Sequence, residues 1–493
     1  MRKLIFALLL STLPAWCVGA GTYCVTADGA VPSPNPHNCL AGKTFTTLAL
    51  ALAALNAEQG ATAFSATQTI YISPGTYTYS GLVQVGFIST GKFLAPSATY
   101  PLVITSASGA QAVPGGTQPI ISCTTTSVEP LYLYASYMTV QGIEFTHCKD
   151  AITFGSTGPR SNETIAYNYI HATGSNASIV SSASGIGAGT WVHHNILASV
   201  GAGISWIGAA WTVEFNEIGI TTNGNGIASG GLSIIRNNII YGTYITTGSG
   251  IQGGNNDTIT GNVGYDDRYC IQSQITAAPG PTFTNNICVA NMWTCHYEGG
   301  ASSVYGLMQH NFCYRSTNAG VPADSGQVQR IGAGPGSAAF EINNISWPSQ
   351  AVSVNDKNIY AGSMAASMSD YNDWWLTGTP GRVIAGFDSA NYTSLSAFQA
   401  GTGWDTHSFS ANPRILGDPD LLVATTQVFP ECPNIECRLA KIRRNYMPTN
   451  LALKGKGCTW NASAMTCTPD HSDIGPVPIT VYNAPGITGG GVY

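Results

Sequence analysis

Short apolar runs recur around an asparagine once every twenty-odd residues between Asn162 and about Trp347. The pattern is clear in Thr164-Ile-Ala-Tyr-Asn168-Tyr-Ile and repeats at Asn195, Asn216, Asn238, Asn262, Asn286, Asn311 and Asn344. The intervals are 27, 21, 22, 24, 24, 25 and 33 residues, a period that marks a solenoid in which one repeat is one coil. Each repeat holds three runs rich in Val, Ile, Thr, Phe and Tyr, too short for helices and separated by Gly, Ser and Asn, so each is read as a strand. A coil of three such strands cannot bury its inner face alone, and stacked copies can. The asparagine suits a turn because its amide both donates and accepts toward neighbouring coils and tolerates left-handed backbone angles.

A second phrase, small-Gly-Ile, falls between the asparagines at Ile186, Ile204, Ile227 and Ile251. If each isoleucine points inward, the following residue points out, giving a column of Gly187, Ser205, Ala228, Gln252 and Gln272. Together the two phrases resemble the right-handed parallel β-helix superfamily of pectate-lyase-like proteins. The resemblance extends to Thr22–Gly29, Lys43–Leu48 and Ile70–Tyr77 near the start. Near the end it includes Ser369–Asp373, Trp404–Ser408, Asn412–Leu416 and Asp473–Gly475. It implies an all-β fold, a single-stranded parallel β-helix, and an activity among lyases, hydrolases, epimerases and non-catalytic binders, since this superfamily hosts all of them.

Residues 1–20 read as an export signal, with Arg2 and Lys3 before an apolar run and Val18-Gly-Ala20 as the cleavage site. A strand and capping helix follow over 21–68, with Thr46 to about Gln59 as the helix. The β-helix is expected over 69–411 and an irregular, disulfide-pinned tail over 412–493. No other run is long and apolar enough to span a membrane. Charged residues make up only 9%, as suits a secreted, turn-rich β-protein, and the net charge of -6 argues against nucleic acid as a partner. The protein is expected to be extracellular or periplasmic and monomeric. Twelve cysteines remain after Cys17, an even number that suits an oxidising compartment. Spacing close to one coil suggests Cys123–Cys148, Cys270–Cys295 and Cys288–Cys313, and short loops suggest Cys24–Cys39, Cys432–Cys437 and Cys458–Cys467.

Candidate chemistry gathers in coils 250–332. In one register Gln252, Gln272, His296 and Gln329 form an outward polar column with Glu298 beside it. A slip of one residue would bury the histidine. Asp266, Asp267 and Arg268 lie in the turn before the Gln272 strand. One acid of a close carboxyl pair stays protonated near neutral pH and can act as a general acid, with Glu298 one coil on. The order Asp266-Asp267, His296, Arg330-Ile331 partly resembles polygalacturonases, although no Asn-Thr-Asp precedes it and Gly332 replaces their lysine. Resemblance to β-helix lyases implies instead an Arg or Lys base and a calcium ion that neutralises a uronate carboxylate. Asp266, Asp267 and Glu298 are the candidate calcium ligands, and Arg268, Arg315 and Arg330 the candidate clamps. Trp293 and Tyr297 are candidate sugar platforms. These features lead to a secreted enzyme acting on a uronate-containing polysaccharide, by elimination or hydrolysis. The alternative is a surface or matrix protein that binds glycan without breaking it.

Overall fold

The computed structural model describes residues 21–476 except 90–91, 156–159, 175–176, 182–187, 209, 222–223, 243–247, 266, 276–278, 290–293, 301–304, 316–326, 332–337, 349–356, 362–367, 376–384, 388–389, 419–420, 423–428, 430, 462–465 and 471. The expected export signal lies outside the described residues, as do Ile186 and Gly187. Internal contacts divide the chain into two compact units, Met1–Ile234 with Ile245–Gly248, and Ile235–Tyr244 with Ser249–Tyr493.

Each unit is built from coils that give one strand to each of three parallel sheets. In the first unit, Thr164–Ala166 pairs with Trp191–His193 in the first sheet. Tyr169–His171 pairs with Ile196–Val200 in the second sheet, and Ile152–Phe154 with Ala177–Ser181 in the third. In the second unit the corresponding pairs are Thr258–Thr260 with Thr282–Thr284, Val263–Tyr265 with Ile287–Val289, and Ser249–Gly253 with Tyr269–Ile275. The chain is therefore a right-handed parallel β-helix. Alternation sends every second side chain inward, and in-register stacking places like on like. Ile165, Val192 and Val213 form one fully buried column of the first unit, and Ile259, Phe283 and Met308 one of the second.

The recurring asparagine stands at the turn from first to second sheet. Its amide links successive coils: Asn168 Nδ2 donates to Asn195 Oδ1 at 3.0 Å, and Asn195 Nδ2 to Asn216 Oδ1 at 2.9 Å. In the second unit the ladder runs Asn238, Asn262, Asn286, Asn311, Asn344 and Asn372. Asn372 is a rung that the repeat count did not include. It ends the ladder by donating to the fully buried Asp405 at 3.2 Å. The left-handed backbone belongs to the residue before each asparagine and not to the asparagine itself. Tyr167, His194, Phe215, Asn237, Asn285, His310, Asn343 and Tyr371 all have φ between 52° and 58°. The asparagine instead occupies the buried corner, where its amide reaches the coils on either side.

The predicted capping helix is present as α1, Leu48–Gln59, with Thr47 as N-cap accepting from the Leu50 amide at 3.3 Å and Gly60 beyond its end. Leu48, Ala51, Leu52 and Leu55 are buried. The strand Gly21–Val25 already pairs in the first sheet, between Thr44–Phe45 and Gln68–Ile72. A second helix, α2, spans Leu395–Thr402 ahead of the tail, and the tail holds more order than its sequence suggested: α3 spans Ile435–Asn445, so the run Arg438–Arg444 is helical. Its basic side chains alternate with the buried Leu439 and Ile442 at helical spacing, while Asn434 caps its start. Arg443 is largely buried and donates to Asn237 Oδ1 at 2.7 Å and Gly261 O at 2.5 Å. Gly475 donates to Asn343 O at 2.7 Å, and Tyr446 meets Phe312 with ring centroids 5.5 Å apart. These tail contacts fall along the asparagine-turn edge of the second unit, away from its third sheet.

Four expected disulfides are present: Cys24–Cys39, Cys123–Cys148, Cys432–Cys437 and Cys458–Cys467. The fifth is Cys270–Cys288 and not Cys270–Cys295. In-register cysteines on adjacent parallel strands stand side by side, whereas Cys270 and Cys288 face each other across the corner between third and second sheets, with Cα atoms 5.8 Å apart.

Candidate functional site in two patches of the third sheet

The third sheet keeps the predicted parity up to Gln272. Ile204, Ile227, Ile251 and Ile271 are buried, while Ala228, Gln252 and Gln272 are partly exposed on the outer side. Gln252 pairs with Gln272, which pairs with Tyr297, which pairs with Arg330. In the backbone register of the second unit, Tyr297 takes the place beside Gln272 that was expected for His296, and Arg330 follows it one strand on.

His296 is a correction. It pairs with Ile271 and Gln329 on the inward parity and is fully buried. Its ring lies 3.6 Å from Cys313 Sγ and 3.9 Å from Cys288 Sγ, and burial lowers its pKa to about 3, so it is a neutral core residue. The same register puts Glu298 opposite the buried Ser273, and Gln329 beside His296 instead of in the outer column. A one-residue slip exchanges the two faces of a strand, and here the register sets His296 against the buried Ile271 and Tyr297 against Gln272.

Asp267 is the second correction, because it is fully buried and not a groove acid. A Cβ on Gly250 would lie 2.6 Å from its Oδ2, and one on Gly264 3.0 Å away, so glycine on the neighbouring strands leaves the space that this carboxylate fills. Arg268 is partly exposed, its guanidinium 5.2 Å from the Tyr269 ring centroid. Asp266 and Trp293 lie outside the described residues, as do the side chains of Tyr297, Glu298, Arg315, Gln329 and Arg330. Among the described residues no group of three His, Cys, Asp or Glu side chains converges as a metal site.

The first unit carries a patch that the repeat pattern did not reveal. Glu129 and Asp150 stand two residues before the third-sheet strands Leu131–Leu133 and Ile152–Phe154, in stacked turns joined by the Lys149 amide donating to Val128 O at 2.8 Å. The Lys149 ammonium contacts Glu129 Oε1 and lies 3.7 Å from Asp150 Oδ2. Burial first, and then the neighbouring Glu129 charge, push the Asp150 carboxyl up to about 7 against the opposing pull of Lys149. Lys149 is raised, chiefly by its bond to Glu129, and stays a cation.

Aromatic rings border this cluster. Tyr132 occupies the outer column between Gln84 and Thr153, 5.7 Å from Tyr134, which meets Phe87 at 5.3 Å and Phe93 at 6.2 Å. The two carboxyls face one ammonium, that of Lys149, and so titrate as a coupled set. The sequence held a clue in the equivalent positions of Glu129 and Asp150, but these early coils lack the asparagine phrase that would have aligned them.

No family model matches the chain, and no curated protein does. Solved structures similar to it include the pectate lyase Pel9A (14% identity, 93% of this chain and 96% of that one, TM-score 0.43). Others are a PL6 alginate lyase in complex with a trisaccharide (11%, 82% and 90%, 0.44) and the A-module of the Azotobacter vinelandii mannuronan C-5 epimerase AlgE6 (14%, 74% and 96%, 0.42). The fold assignment rests on this chain's own strand order.

Proposed function

We propose that this chain is an exported, monomeric, polysaccharide-active enzyme that cleaves a uronate-containing glycan against the outer face of the third sheet. The observation that carries the reading is the Glu129–Lys149–Asp150 unit beside the Tyr132 and Tyr134 rings. Asp150 holds a proton near neutral pH and can deliver it to a departing glycosidic oxygen. Lys149, a partly exposed cation, can pair with a sugar carboxylate, and the rings offer flat apolar faces to sugar. In the second unit one position per coil, Gln252, Gln272, Tyr297 and Arg330, lies in backbone register, so a linear polymer of repeating units would meet a repeating set of residues. Arg268 and Arg315 would border that column as clamps. A calcium ion, if the reaction uses one, would draw on Asp266 and Glu298. The burial of His296 and Asp267 favours one second reading, in which the column binds glycan and nothing is cleaved.

The test follows absorbance in the unsaturated-uronate band in parallel with reducing-end release, on acidic and neutral glycans, with and without chelator. Both signals rising means elimination, and reducing ends alone mean hydrolysis. Loss of activity in chelator that calcium restores assigns the ion. Glycan retention with neither product signal supports the binder.

A further inference from the structure

We infer that Cys295 and Cys313 close a second interior disulfide, one coil beyond Cys270–Cys288. Tyr269 and Ile271 pair with Thr294 and His296, so Cys270 lies opposite Cys295, and Cys288 pairs directly with Cys313. The bonded cysteines are 18 residues apart, and positions 295 and 313 are separated by the same 18. The next coil therefore reproduces the third-sheet and second-sheet positions that the existing bridge joins, where the Cα atoms stand 5.8 Å apart. Stacked parallel coils repeat such a separation, which lies inside the range that a disulfide spans.

Both side chains lie in the core beside the existing bridge. Cys295 and Cys313 are buried, with 3% and 0% of their surface exposed. Cys295 Sγ lies 3.7 Å from Cys288 O, and Cys313 Sγ 3.6 Å from the ring of His296, the residue next to Cys295. Oxidation removes two protons and two electrons. A disulfide-bearing oxidant of the exported compartment, the class of reagent that forms the other bridges, accepts them and leaves as a dithiol. The product ties the strand that carries Tyr297 and Glu298 to its own coil from within.

Peptide mapping of the oxidised full-length protein tests this, after alkylation in denaturant without reductant. Trypsin leaves all four cysteines on the single fragment from Tyr269 to Arg315, so chymotrypsin must follow, cutting after Phe283, Trp293, Tyr297 and Phe312. The expected result is a peptide pair joining Cys295 to Cys313, another joining Cys270 to Cys288, and no alkylation at either pair. Alkylated Cys295 and Cys313 would overturn the inference, and so would the exchanged pairs Cys270–Cys295 and Cys288–Cys313. The variants C295S, C313S and the double variant give a second readout. Each single variant should expose one newly alkylated cysteine, the double none, and all three should lose the same thermal stability. Additive losses would refute the bridge.

Discussion

Replacing Asn286 by alanine tests the asparagine ladder where it is fully buried. The Asn286 amide makes four hydrogen bonds. Nδ2 donates to Ile259 O and Asn311 Oδ1, both at 3.0 Å, and Oδ1 accepts from the Asn262 amide at 2.9 Å and from Asn262 Nδ2 at 3.1 Å. Each such bond contributes about 1 kcal/mol net, and the truncation strands partners that water cannot reach, so N286A should cost about 4 kcal/mol. In a domain of 150–250 residues that lowers Tm by on the order of 10 °C. N286D sharpens the test. It keeps an acceptor toward Asn262 but turns a second oxygen on Ile259 O and Asn311 Oδ1. It should be at least as damaging as alanine at neutral pH and recover on acidification, as the buried carboxyl protonates. Thermal melts followed by circular dichroism at pH 5 and 7.5 are the assay, with T258A on the exposed side of the preceding coil as control. A shift no larger than the control's would refute the ladder as a source of stability.

Other predictions follow from single contacts. Asp150 has its folded pKa raised, so its stabilising contribution is complete at low pH and is lost as pH rises through about 7. D150N should therefore melt above wild type at pH 8.5 and close to it at pH 5. Q272A should raise KM for an acidic glycan by roughly 2- to 10-fold, the equivalent of one hydrogen bond, with little change in kcat. R443A removes both bonds from α3 to the asparagine-turn edge and should cost about 3 kcal/mol in urea melts of the full chain. His296 has a depressed pKa, so its contribution is present above the ordinary imidazole value and is lost as pH falls toward about 3. Wild type should therefore lose more stability than H296Q over that acid range.

The fold was legible because it is written many times over. Eight asparagine phrases and the Gly-Ile phrases each fix a corner or a strand, and α1 announces itself through its Thr47 cap and Gly60 stop. The site was harder to read because it is written once. Around Cys295 the period-2 pattern is nearly symmetric between faces, and hydrophobicity alone did not decide whether His296 or Tyr297 points out. The deciding register, Ile271 against His296 and Gln272 against Tyr297, is set between coils and is invisible to the spacing within one strand. Asp267 looked like surface charge because nothing local shows that Gly250 and Gly264 make room for it. Glu129 and Asp150 meet only once the early coils are stacked. α3 was obscured because its basic residues mask a helical apolar stripe.

In the proposed function, Asp150 carries the proton in cleavage of an acidic glycan. Its most direct test compares wild type and D150N on polygalacturonate, alginate and a neutral glucan from pH 5 to 9, scoring unsaturated products and reducing ends together. The account predicts wild-type cleavage of an acidic glycan that declines above about pH 7, and at least a hundredfold loss in a D150N protein that still melts as wild type does at pH 5. Full activity in D150N, or no product from either acidic glycan with folded wild type, would contradict it.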